Sequence, residues 1–200
     1  SATIAGCLLR AAQEAGVRLV TSLGVRKVEA TGRAGAPSFW VTLTDGSEVR
    51  CERLLIATGG NRSSAGFTIA QALGHTIEPL VPSLFTFHID DARLIGLSGV
   101  ALEEAVVSIP ATKLRASGPL LITHWGLSGP AILKLSAWGA RELADRNYEF
   151  PLTVNFAAPH TRESLTRELM SVRERSPRKQ VTTWSPLAMP QRLWERLVTS

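Results

Sequence analysis

Two hundred residues, 44% apolar and 20% charged, suffice for one large or two small domains with a true core and exclude a disordered chain. No apolar stretch reaches bilayer length, and "SATIAGCLLRAAQEAG" is amphipathic where a secretory signal would run from basic to apolar. A transmembrane or exported chain is therefore set aside, and a cytoplasmic setting is expected. The formal charge is +5, with the excess mainly in "RERSPRK" (173–179). That run reads as a solvated helix end or loop, and no aromatic is interleaved in it for base stacking, which speaks against a nucleic-acid partner.

The elements follow in chain order. Residues 3–15 carry Ile4, Leu8, Ala11, Ala12 and Ala15 at helical spacing, with Gly16 as the stop. Cys7 and Cys51 fit no metal spacing and read as small buried apolar side chains of a reducing compartment. "VRLV" (17–20) reads as a short strand. Strands at 25–31, 38–43 and 47–52 form an antiparallel meander, its hairpin marked by Asp45-Gly46. "RLLIAT" (53–58) follows, apolar enough for a strand buried on both faces. It breaks at Gly59-Gly60, and a helix over 64–74 starts from Ser63 or Ser64 and ends at Gly74, with His75 just beyond its C-terminus.

The chain then becomes β-rich over 76–125. "ALEEAVVSIP", "TKLRA" and "PLLITHW" read as separate short strands, with Gly118-Pro119 as punctuation, and "YEFPLTVNF" (148–156) closes a barrel. One helix is expected over 127–146, with Ser128 as N-cap, Pro130 in the first turn, and Trp125 and Trp138 in the core. Helices over 161–175, capped by Thr161, and 189–198 finish the chain. The fold class is mixed α+β.

The strand end "ATGG" is the first chemical candidate. Without Cβ atoms, backbone N–H groups at Gly59 and Gly60 can approach a phosphate, and Thr58 can offer its hydroxyl. The alternative is an ordinary tight turn. "THWGLSGP" (123–130) offers His124 for proton transfer, or merely a structural histidine, and Ser128-Gly129-Pro130 as an anion-binding helix start or a simple cap. No metal cluster, P-loop or serine triad is apparent.

Three blocks carry a family resemblance: "ALGHTIEPLVPSL" (72–84), "GPLLITHWGLSGPAILKLSAWGAR" (118–141) and "MPQRLWERL" (189–197), together with the "ATGG" strand end. With these, the chain resembles the BaiN-type, aminoacetone-oxidase-like family of NAD(P)/FAD-dependent oxidoreductases. The resemblance implies the end portion of a two-dinucleotide-binding FAD domain (1–75), an inserted β-barrel-like domain (76–160) and a small helical domain (161–200). It implies FAD as cofactor, contacted by Val25, Ala57, Thr58, Gly59 and Gly60, with NAD(P)H as reductant and a small-molecule substrate. The family's N-terminal GxGxxG and its C-terminal FAD segment are not in this sequence, so the chain is expected to be an internal piece, inactive alone. "NRSS" (61–64) is shorter than the family's loop. The competing expectation is a non-enzymatic basic module that binds RNA or a protein.

Overall fold

The computed structural model describes residues 2–32, 38–59 and 65–200. They form two compact units, Ser1–Leu80 and Val81–Ser200.

In the first unit, helix α1 (Ala2–Glu14) ends as its glycine dictates. Gly16 takes φ +74°, its N–H reaches the Gln13 carbonyl, and the Val17 N–H reaches back to Ala12. This paired closure satisfies carbonyls the helix end would leave bare. The meander follows as β1 (Val25–Ala30), β2 (Phe39–Leu43) and β3 (Glu48–Cys51), antiparallel in that order. Val28 and Val41 pair directly and form its buried center. At the hairpin, Gly46 takes φ +84° and the Asp45 carboxylate accepts from the Ser47 N–H at 2.9 Å and hydroxyl at 2.6 Å. Helix α2 (Ala65–Ala72) closes at Gly74, φ +90°, with the His75 N–H on the Ala70 carbonyl. Its proposed caps, Ser63 and Ser64, lie outside the described residues.

Two expected strands are absent. Residues 17–20 and 53–58 are in neither helix nor strand, and Leu55 is 88% exposed. A strand buried on both faces needs a hydrogen-bonded neighbour, and among the described residues none pairs with either segment. Cys7 is exposed and Cys51 half-buried, where burial of both was expected. Cys7 sits on a helix whose flanking Ile4 and Leu8 are themselves exposed among the described residues.

The second unit is built on a five-stranded antiparallel sheet: β4 (Phe87–His88), β5 (Ala101–Ser108), β6 (Arg115–Thr123), β7 (Gly126–Ser128) and β8 (Thr153–Asn155), in the order β4-β7-β6-β5-β8. The expected barrel is thus half a barrel: β4 and β8 are its edges, and no ladder joins them. The rings of Phe87 and Phe150 meet instead, edge to face, at 5.1 Å. "TKLRA" and "PLLITHW" are one strand. Its Gly118-Pro119 is absorbed where the register slips, between Leu102↔Leu120 and Ala105↔Gly118, a bulge that needs neither a ladder N–H from proline nor a break.

The single helix expected over 127–146 is divided. Residues 126–128 are β7, and the helical part is α3 (Pro130–Trp138) and α4 (Ala140–Asp145), parted at Gly139. The N-cap is Gly129, φ +96°, and not Ser128; Pro130 does occupy the first turn. Ala131, Ile132 and Leu135 turn to the sheet, each burial worth about 1.5–3 kcal/mol for the larger two. Trp138 stands two residues past Ser136, on the opposite side of the helix, and is 84% exposed; Trp125, at a hairpin tip, is also exposed. Neither is a core residue. Helices α5 (Arg162–Arg175) and α6 (Gln191–Thr199) complete the unit. Thr161 caps α5 reciprocally with Ser164, and Leu193 joins the core below the sheet.

Candidate functional site

The residues proposed for FAD are distributed along the edge of the first unit. Val25 opens β1 opposite Leu43 and is partly exposed. Ala57, Thr58 and Gly59 form an exposed stretch of chain, and Gly59 takes φ +75° with open space where a Cβ would project. Gly60 lies outside the described residues. The chemistry this set offers is backbone and one hydroxyl.

The second unit holds cavities. Three of them, about 320, 390 and 470 Å3, share His88 and Ile89. β4 is a strand of only two residues at the edge of the half-barrel; its His88 borders all three cavities and its Phe87 the 390 Å3 one. The 390 Å3 cavity is aromatic: Phe85, Phe87, Tyr148 and Phe150 line it, with Phe85 packed at 5.7 Å edge to face on Tyr148. Ser136, fully buried in α3, accepts a hydrogen bond from the Phe85 N–H at 3.0 Å and donates to the Leu133 carbonyl at 2.9 Å. It pins the segment that carries the aromatic wall.

His124 occupies the turn between β6 and β7, exposed, its ring 4.0 Å from that of Trp125. It lines the 320 Å3 cavity with His88, Asp90 and Asp91. Asp91 is engaged: its carboxylate accepts from Arg93 Nη2 at 2.6 Å and from the Arg93 backbone N–H. The Arg93 hydrogen bonds hold its carboxyl below the usual range. Among the described residues no group of three or more His, Cys, Asp or Glu side chains is placed to hold a metal ion. The tight backbone under this cavity explains the glycine of "THWG". At Gly126, φ +149°, a Cβ would land on the Phe87 carbonyl oxygen and 2.6 Å from the Ile89 nitrogen, so glycine lets β4 lie against β7.

The sequence marks His124 through its motif, whereas His88 stands in no motif. Its signal was present: "FTFHI" alternates, and His88 falls on the face opposite Phe87. What sequence lacked was the break in the barrel that makes β4 an edge.

No helix of the described residues is long and apolar enough to cross a membrane. Comparison with known proteins gives several relatives. The chain is 32% identical over 167 residues to a protein of Escherichia coli named "Ribosomal RNA dihydrouridine synthase", covering 76% of this chain and 38% of that protein. It is 27% identical to the protein of the same name in Haemophilus influenzae, covering 78% and 38%. It is 25% identical over 141 residues to a Clostridium scindens protein named "3-dehydro-bile acid delta(4,6)-reductase", covering 66% and 32%. The chain therefore spans little more than a third of the length of these relatives. Residues 81–200, the half-barrel with its helices, match the family described as "HI0933-like protein barrel and H2TH domain", and the chain belongs to that family.

Proposed function

We propose that this chain is part of a flavin-dependent reductase that adds hydrogen across a ring carbon–carbon double bond, with FAD as the flavin, NAD(P)H as its reductant, and a uracil ring in RNA as the substrate. The observation that carries the reading is the chemistry shared by the relatives' names. A dihydrouridine synthase and a Δ(4,6)-reductase both saturate a double bond in a ring. The uracil ring is preferred because the relatives named for RNA match more of this chain, at higher identity.

FAD, when bound, supplies the hydride. The chain's own contribution is orientation and shielding. Val25, Ala57, Thr58, Gly59 and Gly60 would meet the adenine half, through backbone N–H groups and the Thr58 hydroxyl. The aromatic wall of Phe85, Phe87, Tyr148 and Phe150 suits a planar ring and excludes water from one side of it. His88 and His124, which share a neighbouring cavity, are the imidazole side chains there, a residue type suited to proton transfer.

The test uses the full-length protein. Purified, it should carry visible flavin absorbance and, with NAD(P)H, form dihydrouridine in ribosomal RNA. Gly59→Val forces a β-branched residue into φ +75° and should cut flavin content several-fold. A protein that stays colourless with added FAD, or retains full flavin in Gly59→Val, would overturn the respective assignment.

A further inference from the structure

An RNA-directed enzyme must hold a polyanion, and the arginines of this unit are not equally free to do so. Arg93, Arg192 and Arg196 line a polar cavity of about 550 Å3. They are spent on the fold. Arg93 is paired with Asp91, Arg192 Nη2 donates to the Gly96 carbonyl at 2.6 Å, and Arg196 Nη1 reaches the Ala92 carbonyl at 3.4 Å.

The connection between α5 and α6 is different. The basic run 173–179 has no aromatic within it, but the fold supplies one from five residues on. Trp184 lies with its ring centroid 4.3 Å from Lys179 Nζ. It is 39% exposed and lines an apolar cavity of about 280 Å3 with Met170, Pro177 and Pro186. Arg173 and Lys179 stand at the same cavity, and neither forms an ion pair among the described residues. The loop that carries Trp184 is braced. Trp194 Nε1 donates to the Val181 carbonyl at 2.5 Å, Gln191 Nε2 to the Thr182 carbonyl at 2.8 Å, and the Ser185 N–H donates to Gln191 Oε1 at 3.0 Å. Both sides of Trp184 are therefore fastened to α6, so little ordering remains to be done on binding.

We infer that Trp184, with Lys179 and Arg173, is a docking surface for single-stranded RNA: one base stacks on the exposed indole and the flanking phosphates take the two cations. This rests on the proposed RNA substrate. An exposed aromatic beside cations is what sequence-tolerant single-strand binding requires. Residues 161–200 carry eight Lys/Arg against four Asp/Glu, so the surface is complementary to a polyanion.

The experiment is fluorescence anisotropy of a short fluorescein-labelled, uridine-containing single strand titrated with the 200-residue chain. Trp184→Ala should weaken binding roughly 5- to 150-fold, and Trp184→Phe much less. Arg173→Gln and Lys179→Gln should each flatten the dependence of log K on log salt by about 0.7. Equal affinity of wild type and Trp184→Ala overturns the inference, as does absence of salt-dependent RNA binding. Should Trp184→Ala fail to fold, by circular dichroism, the salt slopes of the two cation variants decide, and unchanged slopes overturn it. Dihydrouridine formation by the full-length protein separates this from the proposed function. Full activity with RNA binding indifferent to Trp184 removes only the docking surface; Trp184-dependent binding without dihydrouridine removes only the reductase.

Discussion

Gly126 and Gly99 both take positive φ, +149° and +87°, but their surroundings differ. A Cβ at Gly99 meets nothing within 4 Å, whereas at Gly126 it collides with the backbone of β4. Gly99→Ala should therefore cost only the left-handed strain, about 1–2 kcal/mol. Gly126→Ala adds displacement of a strand and should cost on the order of 2–4 kcal/mol, the range of special backbone sites. Urea denaturation of the chain, followed by circular dichroism, measures both. Equal losses would mean that β4 moves aside freely. The "THWGLSGP" block was singled out in the sequence for His124 and for a helix start. Its glycines serve packing first: Gly129 too has the Pro119 carbonyl 2.8 Å from a built Cβ. A motif of this kind marks close backbone approach as readily as chemistry, and residue type alone does not separate the two.

The elements that sequence rendered best are those with chemical punctuation. Gly16 and Gly74 stop their helices, Thr161 starts one, and Asp45-Gly46 turns a hairpin, each by contacts within a few residues. Elements that depend on distant partners were misread. Residues 53–58 have the composition of a buried strand but no ladder among the described residues, and the half-barrel's open side depends on which edges fail to meet. Likewise the close approach of Leu114, whose Cδ1 would sit 2.7 Å from a Cβ at Gly139 between α3 and α4, is not legible from local sequence. Of the candidate site, the aromatic wall and His88 became visible only once β4 and Tyr148–Phe150 were brought together. The hairpin has a pH dependence of its own. Hydrogen bonds from the Ser47 hydroxyl and N–H lower the Asp45 pKa below the ordinary aspartate value. A depressed folded value means that the turn is stabilised when the carboxylate is ionised, above the unfolded value near 4, and loses this support as pH falls through the lower folded value. Amide exchange at Gly46 and Ser47 should therefore accelerate, relative to the intrinsic rate, as pH is taken below about 4. In Asp45→Asn that acceleration should vanish.

At the scale of the whole molecule, the two units differ in completeness. Val81–Ser200 has its own core, in which Val107, Ile109, Leu120, Ile122, Ile132 and Leu193 are almost wholly buried. The first unit buries Val28 and Val41 at the center of its meander, and leaves Ile4, Leu8, Val17, Leu19 and Leu55 in water. The relatives are more than twice as long as the segment they share with this chain.

The half-exposed run Leu54-Leu55-Ile56-Ala57 has a consequence for solution behaviour. It is uncharged, free of proline and glycine, and unpaired by any ladder among the described residues. Those are the properties of a segment that adds to its own copy in a growing cross-β stack, with Glu52 and Arg53 as the charges flanking it. The isolated chain should form thioflavin-binding assemblies with a concentration-dependent lag. Leu55→Lys, at a side chain already 88% exposed, should lengthen that lag several-fold without lowering the melting temperature. An unchanged lag would place the self-association elsewhere.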